Sequence, residues 1–323
     1  MIEKHLVWDA HACLPLLHDT DVTALLQHRD AGVDVVSVNV GMDFNPVADI
    51  LRIIACFRNV IERRNQDFLF AESLADVDRA QATGRLAVSF DLEGSMMLQD
   101  RPESVDSFYR LGVRQIHLAY NRNNSVAGGC HDKDSGLTPL GREVVSAIND
   151  AGMIMDCSHM GERSALDVMA CSTKPVSFSH TNAAGIFSFG RCISDDLMQA
   201  SARTGGVIGI SGVNRFYGQA LVTPALLVDQ IDYVVDRVGI EHVGIGLDYM
   251  YPSEVDDNPP GLDRGYWWPK SAGYFSGLQA IDVLHPSQLG QVVGEMVARG
   301  YTAEAISAVM GGNFYRMAQQ SWC

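Results

Sequence analysis

The chain has 323 residues, of which 47% are hydrophobic and 20% are charged. This composition is typical of a folded globular protein with a sizeable core, and it excludes a disordered chain, a collagen and a small disulfide scaffold. The 24 Lys and Arg residues are outnumbered by 39 Asp and Glu residues, which gives a net charge of −15. Because so acidic a protein would repel a nucleic-acid backbone or an anionic membrane, we expect no nucleic-acid partner.

The cysteines and the apolar runs indicate the compartment. The seven cysteines are odd in number and show no C-x-x-C spacing, which is typical of reduced thiols. The N-terminus lacks the basic start and long apolar run of a signal peptide, and no stretch approaches the ~18 uninterrupted apolar residues of a membrane span. We therefore expect a cytoplasmic protein without a membrane span.

Short apolar runs rich in β-branched residues recur along the chain, alternating with longer stretches of helical spacing. The predicted strands are Leu6–Ala10, Val33–Val38, Leu86–Asp91, Val113–Ala119, Met153–Asp156, Val176–Ser179, Val207–Ser211 and Val243–Gly246. The predicted helices lie near residues 20–31, 44–64, 72–83, 102–111, 138–151, 162–171, 195–204, 223–238, 286–299 and 302–320. Predicted N-caps of these helices are Thr20, Asp43, Thr138, Asp195, Thr223 and Thr302.

Eight strand–helix units favour one α/β domain over residues 1–323, a (β/α)8 barrel of the TIM type with C-terminal helices. Residues 249–279 are rich in Pro, Gly, Asp and aromatic side chains and are predicted to form a long loop after the eighth strand. A doubly wound sheet is the competing fold, but it would normally carry a glycine-rich phosphate turn after its first strand, and DAHACLPL has none. A barrel would place its chemistry at the carboxyl ends of the strands.

Polar side chains follow most of the predicted strands. In chain order they are His11, Cys13, Glu93, Tyr120, Asn121, His159, His180, Asn214 and Asp248. All would converge on one mouth of the barrel, where imidazoles and carboxylates are typical ligands of zinc or a similar ion. Any one of these histidines can be an ordinary hydrogen-bonded loop residue, but three histidines and two carboxylates at equivalent places favour a metal site.

Six segments, in order along nearly the whole chain, resemble the membrane (renal) dipeptidase family of zinc metallopeptidases. They are DAHACLP (9–15), FDLEGS (90–95), GLTPLGREVVSAINDAGMIMDCSHMG (136–161), PVSFSHTNA (175–183), GIGLDY (244–249) and MGGNFYRM (310–317). The resemblance implies a (β/α)8 barrel of the metal-dependent hydrolase type, related to the amidohydrolases, usually with two zinc ions and usually a homodimer. It also implies hydrolysis of dipeptides, often with a D-residue at the C-terminal position.

The resemblance implies roles for individual residues. His11 matches the metal histidine after the first strand, and Glu93 matches the glutamate that bridges two metals. His159 and His180 match the pair that completes the second metal site. Asp248 matches the aspartate that handles the proton of the attacking water.

Two further positions are candidate substrate contacts. Arg191 resembles the family's arginine that clamps the substrate carboxylate, a task that suits a bidentate guanidinium, with a solvated loop arginine as the alternative. Tyr217 is either a substrate contact or a packing residue. The Trp267–Trp268 pair in the long loop is expected to line the substrate pocket or to form a subunit contact. The alternative is that both rings are buried against the barrel rim.

The first departure from the family pattern is at Cys13, where the family motif His-x-Asp would place an aspartate. A cysteine sulfur is one bond from Cβ and an aspartate oxygen is two bonds away, so the thiolate would fall roughly 1 Å short of the same metal position. We expect one firmly bound zinc at Glu93, His159 and His180, and a weak, shifted or empty site at His11 and Cys13. The alternative is a Cys13 that only fills space.

The second departure is Tyr120, which stands where the family usually carries a histidine near the substrate oxyanion. A phenol can still donate a hydrogen bond there, so Tyr120 is expected to contact the substrate and to take part in catalysis. The neighbouring His117 alternates along the same strand and is a second candidate to face the barrel interior.

Together these features predict a metal-dependent dipeptidase that uses metal-activated water, with Asp248 passing a proton to the leaving amine. The acidic residues Glu254, Asp256 and Asp257 either meet the substrate amine or form a solvated loop. Two alternatives stay open: hydrolysis of a cyclic amide or lactone on the same barrel, and a catalytically weakened homologue that only binds a ligand.

Overall fold

A closed barrel of eight parallel strands forms the centre of the computed structural model, which describes residues 5–274 and 281–322. Strand β1 pairs with β2 on one side and with β9 on the other, where Asp9 lies opposite Ile245, and this pairing closes the barrel. The barrel strands are β1 (Trp8–Cys13), β2 (Val35–Met42), β4 (Leu86–Glu93), β5 (Val113–His117), β6 (Ile154–Asp156), β7 (Val176–Thr181), β8 (Ile208–Ile210) and β9 (Val243–Ile245). The predicted (β/α)8 fold is confirmed.

Two short strands were not predicted. Strand β3 (Phe68–Phe70) pairs with β4 outside the barrel. Strand β10 (Tyr249–Met250) pairs with the last two residues of β1, at the mouth of the barrel. Strand β3 lies in the short stretch between the predicted helices 44–64 and 72–83, and β10 falls in the Pro- and Gly-rich segment 249–279 that was predicted to be a loop.

Helices cover the outside of the barrel, as the βα pattern predicts. The longer ones are α2 (Val47–Arg63), α3 (Leu74–Ala82), α4 (Ser104–Arg110), α5 (Pro139–Ala151), α6 (Glu162–Cys171), α7 (Asp195–Arg203), α8 (Pro224–Val238), α10 (Leu289–Ala298) and α12 (Asn313–Ser321). The shorter ones are α1 (Leu26–Asp30), α9 (Arg264–Trp267) and α11 (Ala303–Ser307). A π-helical turn, Ala308–Gly312, joins α11 to α12.

Half of the predicted N-caps are confirmed. The side chains of Thr138, Thr223 and Thr302 accept hydrogen bonds from the first turns of α5, α8 and α11. The other three predictions were wrong, because Asp21, Pro46 and Ser194 occupy the N-cap positions instead of Thr20, Asp43 and Asp195.

The carboxylate of Asp43 is used at the strand ends rather than on a helix. It accepts hydrogen bonds from the backbone N–H groups of Ser95, Met96 and Tyr120 and from the side chain of Asn124. These bonds tie the segment after β2 to those after β4 and β5. Asp43 therefore fixes the positions of these three loops of the barrel mouth relative to one another.

Within the predicted loop 249–279, residues 275–279 lie outside the described residues, and most of the remainder is irregular apart from β10, α9 and a short 3-10 turn at Lys270–Ala272. No helix in the described ranges is long and apolar enough to cross a membrane. The six cysteines in those ranges are free thiols, as predicted.

Candidate active site

Four imidazole nitrogens surround one carboxylate oxygen at the carboxyl ends of the barrel strands. Oε1 of Glu93 lies 3.1 Å from Nε2 of His159, 3.5 Å from Nε2 of both His11 and His180, and 3.7 Å from Nε2 of His117. All five side chains are buried. We refer to these five residues as the Glu93 cluster.

The hydrogen bonds of Asn121 determine which nitrogen of His159 carries a proton. Nδ2 of Asn121 donates to the carbonyl of Trp267 at 3.1 Å, so the Oδ1 atom of Asn121 faces His159. Nδ1 of His159 lies 2.7 Å from that oxygen and must donate to it. The Nε2 atom of His159 therefore presents a lone pair to Glu93.

The same assignment follows for two more histidines. The hydroxyl of Ser179 donates to the carboxylate of Asp156, so its oxygen accepts a hydrogen bond from Nδ1 of His180 at 2.8 Å. Nδ1 of His117 donates to the backbone carbonyl of Ser158 at 2.8 Å. Both histidines are left with an Nε2 lone pair that points into the cluster.

His11 completes the arrangement, because its Nδ1 atom lies 3.2 Å from Oδ1 of Asp91 and its Nε2 atom faces Glu93. Nε2 of His159 is also only 2.9 Å from Nε2 of His180. Lone pairs that face one another at these distances repel unless a positive charge lies between them. Imidazoles whose other N–H is held by a carboxylate, carbonyl or amide are the usual ligands of a divalent metal, so the cluster fits such an ion.

Burial and the neighbouring charges divide the cluster into two groups: His159 and His180 are held neutral, whereas Glu93 and His11 retain protons that a metal ion would displace. Burial raises the pKa of Glu93 to about 8, against the opposing effect of His11. Burial lowers the pKa of His159 and of His180 well below the usual value, and the neutral imidazole is the form that binds a metal. At His11 burial lowers the pKa, but the carboxylates of Asp91 and Glu93 and the neighbouring thiol outweigh it.

Cys13 and Asp248 approach the same Nε2 atom of His11 that faces Glu93. The sulfur of Cys13 is 3.4 Å from Nε2 of His11 and 3.8 Å from Oδ1 of Asp248. That Asp248 oxygen is itself 3.6 Å from Nε2 of His11, and burial raises the pKa of Asp248 to about 6.

Three sets of potential ligand atoms lie within 4.8 Å of one another. They are His11, Cys13 and Glu93; His11, His180 and Asp248; and Glu93, His159 and His180. The structure therefore brings together every residue that the sequence proposed as a metal ligand, and places Asp248 among them.

Three residues of the site have left-handed backbone conformations, which are uncommon outside glycine. Their φ angles are 60° at Asn121, 65° at His159 and 57° at Asp248, and each residue lies just beyond a barrel strand. The N–H of Asp248 donates to the carbonyl of His11 at 3.0 Å, which holds that turn against β1. Such conformations are typical of positions where side-chain direction matters.

A cavity of about 560 Å³ opens above the cluster, and its lining includes Glu93, His159, Asp248, Tyr120 and Arg191. The buried Arg191 donates from Nη2 to the carbonyl of His180 at 3.2 Å, so it is no solvated loop arginine. A cavity of this size is typical of a small-molecule site.

Tyr120 lies over the cluster with its ring stacked on that of His159 at a centroid distance of 4.3 Å. Its hydroxyl oxygen accepts a hydrogen bond from Nε1 of Trp268 at 3.2 Å, which leaves the hydroxyl proton for another acceptor. Burial raises the pKa of Tyr120 well above its usual value, so the proton is retained at neutral pH. Of the tryptophan pair, Trp268 lines the cavity.

Tyr217, a candidate substrate contact, is a packing residue. It is buried, its hydroxyl donates to the carbonyl of Ser211 at 2.6 Å, and it is absent from the described lining of the cavity. Strand β8 ends early at Ile210, and the turn that follows directs this side chain into the protein.

Three site residues were missed or left undecided by the sequence. His117 faces the cluster, and its place on β5 directly opposite Glu93 on β4 is the register that determines this. Phe44 and Arg215 line the cavity, but Phe44 lies in a turn after β2 and Arg215 in the single 3-10 turn Asn214–Tyr217, and neither is long enough for periodicity to show the direction of a side chain.

Comparison with known proteins identifies relatives along most of the chain. The family model described as membrane dipeptidase (peptidase family M19) matches residues 9–260. The dipeptidase tcpJ of Claviceps purpurea is 28% identical over 279 residues, which cover 84% of this chain and 60% of that protein. The dipeptidase verJ of Clonostachys rogersoniana is 30% identical over 267 residues, which cover 82% of this chain and 63% of that protein. The chain thus spans about three fifths of the length of these relatives.

Solved structures share the fold over nearly the whole chain. An amidohydrolase from Pseudomonas aeruginosa superposes with a TM-score of 0.87 at 23% identity, covering 99% of this chain and 98% of that one. A metallopeptidase from Rhodobacter sphaeroides, solved with a phosphinate mimic of the dipeptide L-Ala-D-Ala, superposes with a TM-score of 0.80 at 18% identity, covering 98% and 99%. With the family match over residues 9–260, these findings show that the chain belongs to the membrane dipeptidase family, peptidase family M19.

Proposed function

We propose that the protein is a metal-dependent dipeptidase that hydrolyses the amide bond of a small dipeptide with metal-activated water. The observation that carries this proposal is the convergence of the Glu93 cluster beneath a cavity that also presents a buried arginine and a protonated phenol. The dipeptidase names of the fungal relatives support it. So does the dipeptide mimic bound by the structural neighbour from Rhodobacter sphaeroides.

Zinc is the metal that we propose, because nitrogen, oxygen and sulfur ligands together suit it. Glu93, His159 and His180 would hold one ion firmly, and His11, Cys13 and Glu93 would form a second, weaker site. A divalent ion bound there would polarise the scissile carbonyl and lower the pKa of water toward neutrality.

Asp248 is the proposed carrier of the proton. Its carboxylate lies at the edge of the cluster with 17% of the side chain exposed, so it reaches both the ligands and the cavity. Burial raises the pKa of Asp248 to about 6, and from this position the carboxylate would accept a proton from the attacking water and return it to the leaving amine.

Arg191 and Tyr120 are the proposed substrate contacts. The guanidinium of Arg191 would bind the substrate carboxylate, and the hydroxyl of Tyr120 would donate to the oxygen on which negative charge develops. Both side chains line the cavity beside His159.

Hydrolysis of L,L- and L,D-dipeptides with added zinc, manganese or cobalt tests the proposal. We expect release of both amino acids, and its loss in the variant Asp248→Asn. If no dipeptide is cleaved with any metal while a cyclic amide or lactone is opened, the substrate class is wrong. If metal and ligand bind without turnover, the protein is a binding homologue.

The short reach of the Cys13 thiol predicts that the protein binds only one metal ion tightly. Elemental analysis of the purified protein should find one tightly held zinc per chain. Cys13→Asp should raise both the metal content and the dipeptidase rate, because the longer carboxylate reaches further into the second site. His159→Ala should remove the tightly held metal.

Cys56→Asp, at a thiol on helix α2 outside the cluster, is the matched control and should change neither metal content nor rate. Two tightly held zinc ions in the unmodified protein would show that the thiol substitutes fully for the family's carboxylate. A lower metal content in Cys13→Asp would likewise show that the sulfur is a working ligand.

Tyr120→Phe should lower kcat by roughly a hundredfold, the usual effect of removing one oxyanion donor, and should leave metal content unchanged. The matched control is Tyr315→Phe on helix α12, whose hydroxyl bonds to Asp78 outside the cavity. Unchanged kcat in Tyr120→Phe would show that this phenol does not replace the family's histidine.

We also propose that the protein is a homodimer, which the family resemblance supports, and that it works in a reducing compartment such as the cytoplasm, which its free thiols support. Light scattering at micromolar concentration should give twice the chain mass of 35.2 kDa. A single species at 35.2 kDa would refute the dimer.

A further inference from the structure

The barrel order determines what lies opposite Arg191. This arginine follows strand β7, and in the closed ring β1-β2-β4-β5-β6-β7-β8-β9 the strand four places from β7 in either direction is β2. The segments after β1 and β2 therefore form the far wall of the cavity. A dipeptide whose carboxylate is held by Arg191 would extend across the Glu93 cluster, with its amino-terminal residue against that wall.

The far wall is apolar. Its lining residues are Leu14, Pro15 and Leu16 after β1, Met42 at the end of β2, and Phe44 and Asn45 after β2, so Asn45 is its one polar side chain among the described residues. Leu14 is fully packed, while Leu16, Met42 and Phe44 keep part of their surface open to the cavity. Burying an apolar substrate side chain against such a surface lowers the free energy of the complex, whereas desolvating a charged side chain there raises it.

Aromatic rings hold Phe44 in place. Its ring meets those of Tyr120, Trp267 and Trp268 edge to face, at centroid distances of 5.6, 5.2 and 5.7 Å. Because these contacts fix the ring before a ligand arrives, little conformational entropy is lost on binding. Phe44 is thus a preformed side of the pocket.

The rim beside this wall is acidic. Glu254, Asp256 and Asp257 all line the cavity, and Oδ2 of Asp257 accepts a hydrogen bond from the N–H of Leu16 at 2.9 Å. Asp256 is paired with Arg264 at 2.7 Å. A free amino group next to the apolar wall would meet negative charge there, whereas an acidic side chain would be repelled.

We propose that the amino-terminal residue of the substrate is large and apolar, such as leucine, methionine or phenylalanine, and that Phe44 is a specificity-determining residue for it. This inference rests on the proposed dipeptidase function. The cavity would select among dipeptides by the side chain of their amino-terminal residue. Glycine leaves the far wall uncovered, and aspartate places a negative charge between that wall and the acidic rim.

The experiment compares kcat/KM of the zinc-loaded protein for peptides that share a C-terminal alanine, L or D, and begin with glycine, leucine, phenylalanine or aspartate. The leucine and phenylalanine peptides should exceed the glycine peptide by about tenfold to a hundredfold, as burial of one such side chain predicts, and the aspartate peptide should be the slowest. Phe44→Ala should reduce the ratio of phenylalanine to glycine peptide about tenfold.

Phe187→Ala removes a partly exposed phenyl ring that does not line this cavity, and it should leave all ratios unchanged. Cleavage with the glycine or aspartate peptide as the best substrate would overturn the inference and leave the dipeptidase function standing. An unchanged ratio in Phe44→Ala would overturn the role of Phe44. Failure to cleave any peptide would overturn the dipeptidase function, and the inference with it.

Discussion

The site is governed by the repulsion between hydrogen-bond acceptors around Oε1 of Glu93. Four imidazole nitrogens lie within 3.7 Å of that oxygen, and the partners of Nδ1 in His117, His159 and His180 leave three Nε2 lone pairs facing inward. Burial excludes the water that would otherwise screen them. A buried set of acceptors is stable only with protons or a cation among them, and a divalent metal satisfies more of them at once than protons do.

The rest of the barrel mouth supports this arrangement. Asp156 orients Ser179, which in turn orients the ring of His180, while Asn121 links His159 to the backbone of Trp267 in the long loop. The long loop, whose Trp267 and Trp268 contact Phe44, is therefore hydrogen-bonded to a side chain that orients a proposed metal ligand. Through these contacts the position of the Trp267–Trp268 segment and the direction of the His159 lone pair depend on each other.

The fold could be predicted because short runs of apolar and β-branched residues mark the barrel strands and the longer helices between them have a clear period. The convergence of the candidate metal ligands could be predicted because the strand ends of a barrel meet at one mouth, so position in the repeat specifies position in space. The direction of the His117 side chain could not be predicted, because residues three apart on a strand normally point to opposite faces and Tyr120 was the expected site residue. The register with β4, which places His117 opposite Glu93, shows that both side chains reach the site. Phe44 lies in a turn, and Arg215 and Tyr217 lie in one short 3-10 turn, so the directions of their side chains depend on tertiary contacts that no local pattern encodes.

The central claim is that a cation belongs between Glu93, His159 and His180, and anomalous diffraction from crystals of the protein at the zinc absorption edge tests it most directly. We expect a peak in contact with Oε1 of Glu93 and with Nε2 of both histidines, whose Nδ1 atoms keep their bonds to Asn121 and Ser179. Crystals grown with zinc that show no peak there, with the two Nε2 atoms hydrogen-bonded through a proton instead, would contradict it.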